Sequence, residues 1–200
     1  LRKERASNSL PIQTGHPSAT SLSAGPETDI LIVVVPGYSL LSLGCLAEPL
    51  LFARTLPATG HFSVTFHDLD PRQEGAETGL RLTGMNSLAE LESRLAIRPA
   101  PAAIFLCCGL DVPEPSREPL RRVMRQSRRN GVPIFGIGAA TWALAETGLL
   151  PDRKGVVHWT SLSAFQERNL DSVALGNLFH TGPHVSTCAG ELAALDLVIE

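Results

Sequence analysis

The segment Val132-Pro133-Ile134-Phe135-Gly136-Ile137-Gly138-Ala139-Ala140-Thr141-Trp142-Ala143-Leu144-Ala145 reads as a short buried strand turning sharply into an apolar helix. Such a turn lifts one residue above the C-terminal edge of a sheet, beside free backbone N–H groups, and is a place where hydrolases hold a nucleophile. Gly138 stands at its crest. Glycine brings no attacking atom, so the turn is expected to recognise a ligand rather than react with one, and no catalytic residue is assigned.

Three further places carry chemistry-bearing residue types. Cys108-Gly109 ends the apolar run Ala103–Cys107, so its N–H groups, like that of Ala139, are placed to meet an anion or a carbonyl oxygen. As a nucleophile Cys108 would need a base or a helix N-terminus to form its thiolate, and Asp111 close by disfavours one, so a buried structural thiol is expected. Glu48 is the one charge between Gly37 and Ala53. It sits in a helix predicted over Leu40 to Leu51, apolar on nearly every side, which Pro49 should bend by leaving the Cys45 carbonyl without its donor. Either this carboxylate is held among leucines to grip a cationic or hydrogen-bonding ligand, or it escapes to solvent along a thin polar edge. Leu41 and Leu51 share its stripe and are expected to bury against a second subunit. His158-Trp159 opens a helix after Gly155-Val156-Val157, and the topology directs the pair toward the edge where Gly138 lies, with Trp159 as an aromatic wall.

Weaker patterns are set aside on chemical grounds. His16, His61, His67, His180 and His184 lack metal-ligand spacing, and neither a metal nor a cofactor is expected. Gly136-Ile137-Gly138 follows a strand and opens a helix like a dinucleotide fingerprint, but it lacks the third glycine and a ribose-binding acid. Arg117, Arg121, Arg125 and Arg128 recur at helical spacing opposite Leu120, Val123 and Met124, as on a solvated helix face.

The elements that must position these residues follow an alternating order. Predicted strands at Asp29–Val35, Phe62–His67, Ala103–Cys107, 132–136 and Gly155–Val157 are interleaved with helices at Leu40–Leu51, Ser87–Leu95, about Glu118–Asn130, 139–145 and about His158–Arg168. Leu80–Thr83 reads as a further short strand, Val173–Leu175 as another. A hairpin over 178–187 turning at Gly182-Pro183 precedes a terminal helix. This order predicts an α/β three-layer sandwich, a mostly parallel central sheet flanked by helices in the flavodoxin manner, with ligands beyond the C-terminal ends of the strands.

Composition narrows the class. Of 200 residues 44% are hydrophobic and 18% charged, which favours one compact domain, and the formal charge of -3 argues against nucleic-acid binding by this chain itself. Four cysteines without metal spacing point to a reducing compartment, and no apolar run approaches the ~20 residues that span a bilayer. A cytoplasmic protein is expected. Residues 1–28 are rich in Ser, Thr, Pro and Gly and read as a flexible arm, with the folded domain over 29–200. The last helix carries no cap at Glu200, so more chain is expected beyond it.

Several stretches together resemble the PfpI-like, class I glutamine amidotransferase-like domain of AraC-family transcriptional regulators. They are Val35-Pro36-Gly37-Tyr38-Ser39-Leu40-Leu41-Ser42, Glu48-Pro49-Leu50, Leu106-Cys107-Cys108-Gly109-Leu110-Asp111-Val112, Ala143-Leu144-Ala145-Glu146-Thr147-Gly148-Leu149-Leu150, His158-Trp159, and Ser186-Thr187-Cys188-Ala189-Gly190 leading to Leu195-Asp196. The resemblance implies a homodimer that senses a small molecule, such as an amino acid or quaternary amine. It also implies a helix-turn-helix pair beyond residue 200 that alone touches DNA. Relatives often carry cysteine-threonine-glycine where Gly138-Ala139-Ala140 stands here, and a glycine pair where Cys108-Gly109 stands. A sensing domain with Glu48, Cys108, Gly109, Gly138, Ala139, His158 and Trp159 around its ligand is therefore expected. Two alternatives stay open. One is a small hydrolase, hydratase or glyoxalase using Cys108 or a water held by Glu48 and His158. The other is a dimerisation module whose pocket is filled by Trp142 or Trp159.

Overall fold

The computed structural model describes residues 28–56, 61–70 and 75–200. The arm expected over 1–28 lies outside them, except Thr28, which opens the first strand.

The strands form where branched apolar residues run together. These are β1 (Thr28–Val34), β2 (Phe62–Asp68), β3 (Ala103–Cys107), β4 (Ile134–Ile137), β5 (Lys154–Val156), β6 (Val173–Leu175), β7 (Phe179–His180) and β8 (Val185–Cys188). Six of them make one sheet in the order β2-β1-β3-β4-β8-β7, parallel except for β7 against β8, while β5 and β6 pair in a small sheet of their own. Each strand of the large sheet's centre is apolar on both faces because helices cover both. Leu31 and Val33 point into one core with Leu91, Leu120 and Met124, whereas Ile32 and Val34 point into the other with Leu43 and Leu46. The two-residue period of the strand divides them.

The helices are α1 (Leu40–Ala53), α2 (Leu88–Ala96), α3 (Glu114–Arg129), α4 (Ala140–Glu146), α5 (Leu162–Arg168) and α6 (Ala193–Ile199). α1 and α6 cover one face and pack on each other, and α2, α3, α4 and α5 cover the opposite face. Starts are set by capping groups. Ser39 Oγ accepts the Ser42 N–H at 3.2 Å to begin α1, and Ser87 with Glu90 forms a reciprocal capping box on α2. The fold is the expected three-layer α/β sandwich of flavodoxin type.

Two readings of local structure are corrected. Leu80–Thr83 forms no strand: Leu80 and Leu82 are exposed, and among the described residues the β-pairing nearby is a single bridge of His67 with Asn86. Among the described residues, alternation without a neighbouring strand left a loop. Helix α3 begins four residues before Glu118, since Pro115 sits in its first turn, where a missing N–H costs nothing. Pro119 lies inside the helix.

The strand order reverses between β1 and β3, which β2 and β4 flank. Above that switch point the ligand crevice of such a sheet is expected.

Candidate functional site

Gly138 follows β4 with φ +63, the left-handed conformation that an elbow at this position demands and that side chains resist. The elbow geometry is thus present. What lies over it is main chain. A β-carbon on Gly138 would come 2.6 Å from the Gly109 oxygen and 2.9 Å from the Cys108 oxygen, both too close for a real contact. The N–H groups at the turn are already used: Gly138 donates to the Cys188 carbonyl at 3.0 Å and Ala139 to the Gly109 carbonyl at 2.9 Å. Ala139 therefore does not hold a free donor for an anion, contrary to expectation.

The same sealing extends to the switch point. Gly109 is buried, and a side chain there would collide with the Gly37 carbonyl oxygen and Glu77 Oε1. Glu77 donates its own N–H to the Tyr38 carbonyl at 3.0 Å, and its carboxylate accepts the Leu110 N–H at 2.9 Å. A side chain of the protein's own thus takes the donor that a ligand's carboxylate would seek. On the other flank, a β-carbon on Gly190 would lie 3.4 Å from Ser42 Oγ and 3.7 Å from the Gly138 Cα. Ser42 Oγ accepts the Glu191 N–H at 2.6 Å, and Ser39 Oγ donates to Glu191 Oε1 at 3.2 Å. Neither tryptophan fills the space. Trp142 stacks edge-on against Phe165 at 5.2 Å, and Arg168 lies 5.8 Å from its ring centre.

The remaining expected residues fall in separate places. Cys108 is 1% exposed, and burial pushes its thiol well above the ordinary range. Burial likewise pushes Cys107 up to about 12 and Cys188 up to about 11. All three are poor nucleophiles near neutrality. Trp159 is 78% exposed and walls no crevice, because its 3₁₀ turn (Trp159–Ser161) projects outward. His158 Nδ1 pairs with its neighbour Thr160 Oγ1 at 2.7 Å. Glu48 is exposed, so the solvent reading holds over a carboxylate buried among leucines. It borders an apolar surface groove of about 540 Å³ with Leu41, Gly44, Cys45, Phe52 and Leu195. Leu51 instead packs onto the protomer's own core. The α3 arginines form the solvated face expected, Arg117 pairing with Glu114 at 2.8 Å and Arg121 with Glu146 at 2.5 Å. Among the described residues no three His, Cys, Asp or Glu side chains converge as a metal site would require.

No family model matches the chain. Two curated proteins of Pseudomonas aeruginosa do. The HTH-type transcriptional regulator CdhR is 29% identical over 181 residues, covering 86% of this chain and 49% of that protein. The HTH-type transcriptional regulator GbdR is 26% identical over 184 residues, covering 92% of this chain and 48% of that protein. The relatives of this chain are HTH-type transcriptional regulators. It spans about half the length of the curated regulators it matches. Solved structures agree on the fold. An AraC family transcriptional regulator from Pseudomonas putida superposes with a TM-score of 0.69 at 22% identity, over 87% of this chain and 89% of that one. Drosophila melanogaster DJ-1beta superposes with a TM-score of 0.66 at 17% identity, over 86% and 87%. The DJ-1/PfpI-like fold and the regulator kinship are those the sequence resemblance implied.

Sequence reasoning named Ser39, Ser42 and Gly190 only within the stretches that carry the resemblance, gave them no role at the site, and passed over Glu77 and Glu191. Ser39 carried a usable signal, an N-cap serine directly before an apolar helix. Glu77 carried none, since its partner Leu110 lies far along the chain.

Proposed function

We propose that this chain is the effector-sensing and dimerising part of a transcriptional regulator, a non-catalytic descendant of DJ-1/PfpI-type enzymes. DNA would be read by a helix-turn-helix part outside these 200 residues. The observation that carries the reading is Gly138. Kinship to regulators over most of the chain meets an elbow that keeps its left-handed backbone yet holds no reactive atom and lies under the Cys108 and Gly109 carbonyls. An enzyme working through Cys108 would need a thiolate, and full burial opposes one. Among the described residues no helix is long and apolar enough to cross a membrane.

The second copy docks on the α1 groove, where Leu41 at 49% and Phe52 at 66% exposure flank Leu195, with Glu48 at the rim. An effector acts by binding one dimer geometry better than another. Reversing a 1:99 equilibrium to 99:1 takes about 5.5 kcal/mol of differential affinity. Calorimetric titration of the 200-residue chain with amino acids, betaines and polyamines tests the reading. Saturable binding of one of them supports it, and sustained turnover of substrate without such binding sinks it.

A further inference from the structure

With the switch point sealed, an opening at the same sheet edge lies one strand further out, above β1 and β2. Residues 75–87 form a strap there. Its first part is tied down by the Gly37 N–H on the Gly75 carbonyl and the Glu77 N–H on the Tyr38 carbonyl, at 2.9 and 3.0 Å. Its far end is tied to β2, where the Asp68 N–H meets the Asn86 carbonyl and the Asn86 N–H meets the Phe66 carbonyl, both at 2.8 Å. Beneath it runs an open cleft of about 370 Å³ bordered by Asp68, Arg81, Leu82, Met85 and Glu90. The same Asp68, Arg81, Leu82 and Met85, together with Val34, Pro36 and Tyr38, line a niche of about 10 Å³.

Tyr38 gives the niche its purpose. The residue is 2% exposed, and its hydroxyl has no hydrogen-bond partner among the described residues. The Leu82 amide approaches closely enough to favour the phenolate slightly without closing a bond, and burial outweighs it and raises the pKa. A buried hydroxyl without a partner is uncommon in native proteins and marks a place awaiting one. Asp68 is half-buried, and burial raises its pKa too, against the lowering effects of the Asp70 N–H and Arg81. Among the described residues, the charged groups that border the cleft are two carboxylates, Asp68 and Glu90, and one guanidinium, Arg81. A cation bearing N–H donors satisfies both needs at once, the charge through Asp68 and the hydroxyl oxygen through a hydrogen bond. The size of the niche chooses among cations. It accepts one group about as large as a water molecule, which admits a primary ammonium and excludes a trimethylammonium.

We propose that the effector is a small primary amine whose ammonium enters the niche between Tyr38 and Asp68, with the rest of the molecule lying in the cleft under the strap. This rests on the sensor reading above and gives it a site and a ligand class. Glu77 connects that site to the elbow, since it belongs to the strap and holds the Leu110 N–H.

The test pairs amines that differ only in methylation, ethanolamine with choline and glycine with glycine betaine, titrated calorimetrically into the 200-residue chain. The primary member of at least one pair is expected to bind at least tenfold more tightly than its trimethylated counterpart. That binding should weaken at least tenfold in both Tyr38→Phe and Asp68→Asn and persist in Trp159→Ala. Circular dichroism of each variant checks that it folds, and the two independent substitutions guard against one that does not. Binding that ignores both substitutions, or that favours the trimethylated member, overturns the niche and leaves the sensor reading standing. No binding by any primary amine overturns the niche as well, and failure to bind the wider panel of amino acids, betaines and polyamines removes the sensor reading with it.

Discussion

The Gly109 carbonyl oxygen accepts the Ala139 N–H at 2.9 Å while lying 2.6 Å from the point where a β-carbon on Gly138 would begin. One backbone oxygen thus occupies the place of both a ligand anion and a nucleophile. Restoring a thiol by Gly138→Cys should therefore not restore an enzyme. The left-handed φ alone costs a side chain about 1–2 kcal/mol, and the contact with Gly109 adds to it. Urea unfolding should show a loss of at least that size, and esterase and glyoxalase assays should show no gain. A stable variant that turns over substrate would mean the loop at 108–110 yields easily and the pocket is merely shut.

The thiols make a second case. In the folded protein Cys107, Cys108 and Cys188 are almost fully buried, and Cys45 is partly exposed. Iodoacetamide at neutral pH should label Cys45 first, with the other three reacting only on unfolding. Rapid labelling of Cys108 would revive the catalytic alternative.

The same burial sets a pH dependence. Cys188 moves from an ordinary 9.0 to about 11 and Cys107 to about 12, desolvation leading in each. The unfolded chain loses these protons above about pH 9 while the folded one keeps them, so stability is full below that pH and falls as pH rises through the folded values. For Cys188 the rise from 9.0 to about 11 corresponds to about 3 kcal/mol. Urea midpoints measured from about pH 8 to about pH 10.5 should decline, and Cys188→Ala should flatten the slope.

How much of this could be read in the sequence depended on distance along the chain. β1 and β3 were legible because Leu31–Val35 and Ala103–Cys107 are unbroken apolar runs that only a doubly covered sheet can bury. Gly138 was legible as a strand-to-helix crest. Glu48 was not, since an all-round apolar helix does not say which side its neighbour takes. α6 covers one side and leaves Glu48 and Phe52 outside. The sealing of the crevice was beyond local reading altogether, because Glu77 and Leu110, or Gly37 and Gly109, meet only once the sheet has assembled. Asp68 did carry a signal, as a carboxylate at the C-terminal end of a strand, the edge where such sheets bind ligands.

The exposed apolar face of α1 yields a fourth expectation. Leu41→Glu and Phe52→Glu each place a charge in the groove that the second copy would cover. Sedimentation velocity should find dimers of the native chain and monomers of either variant. Both side chains are about half exposed or more, so unfolding of the separated protomer should shift by less than about 0.5 kcal/mol. Dimers that survive both substitutions would move the interface elsewhere.

Tyr38→Phe separates a ligand contact from a structural one before any ligand is known. A hydroxyl that bonded a protein group would leave that partner unpaired when removed, at a cost of about 1–3 kcal/mol. Among the described residues the hydroxyl of Tyr38 has no such partner, and the ring itself packs with Leu43 and Leu46 in the α1-side core. Phenylalanine keeps the ring and removes the unmet polar atom, so the unliganded protein should unfold at the same urea concentration or a slightly higher one. A gain of up to about 3 kcal/mol is the size expected for relieving one buried, unsatisfied group. A loss above 1 kcal/mol would mean that the hydroxyl is already held in the unliganded protein. The niche would then have no vacancy for an ammonium to fill.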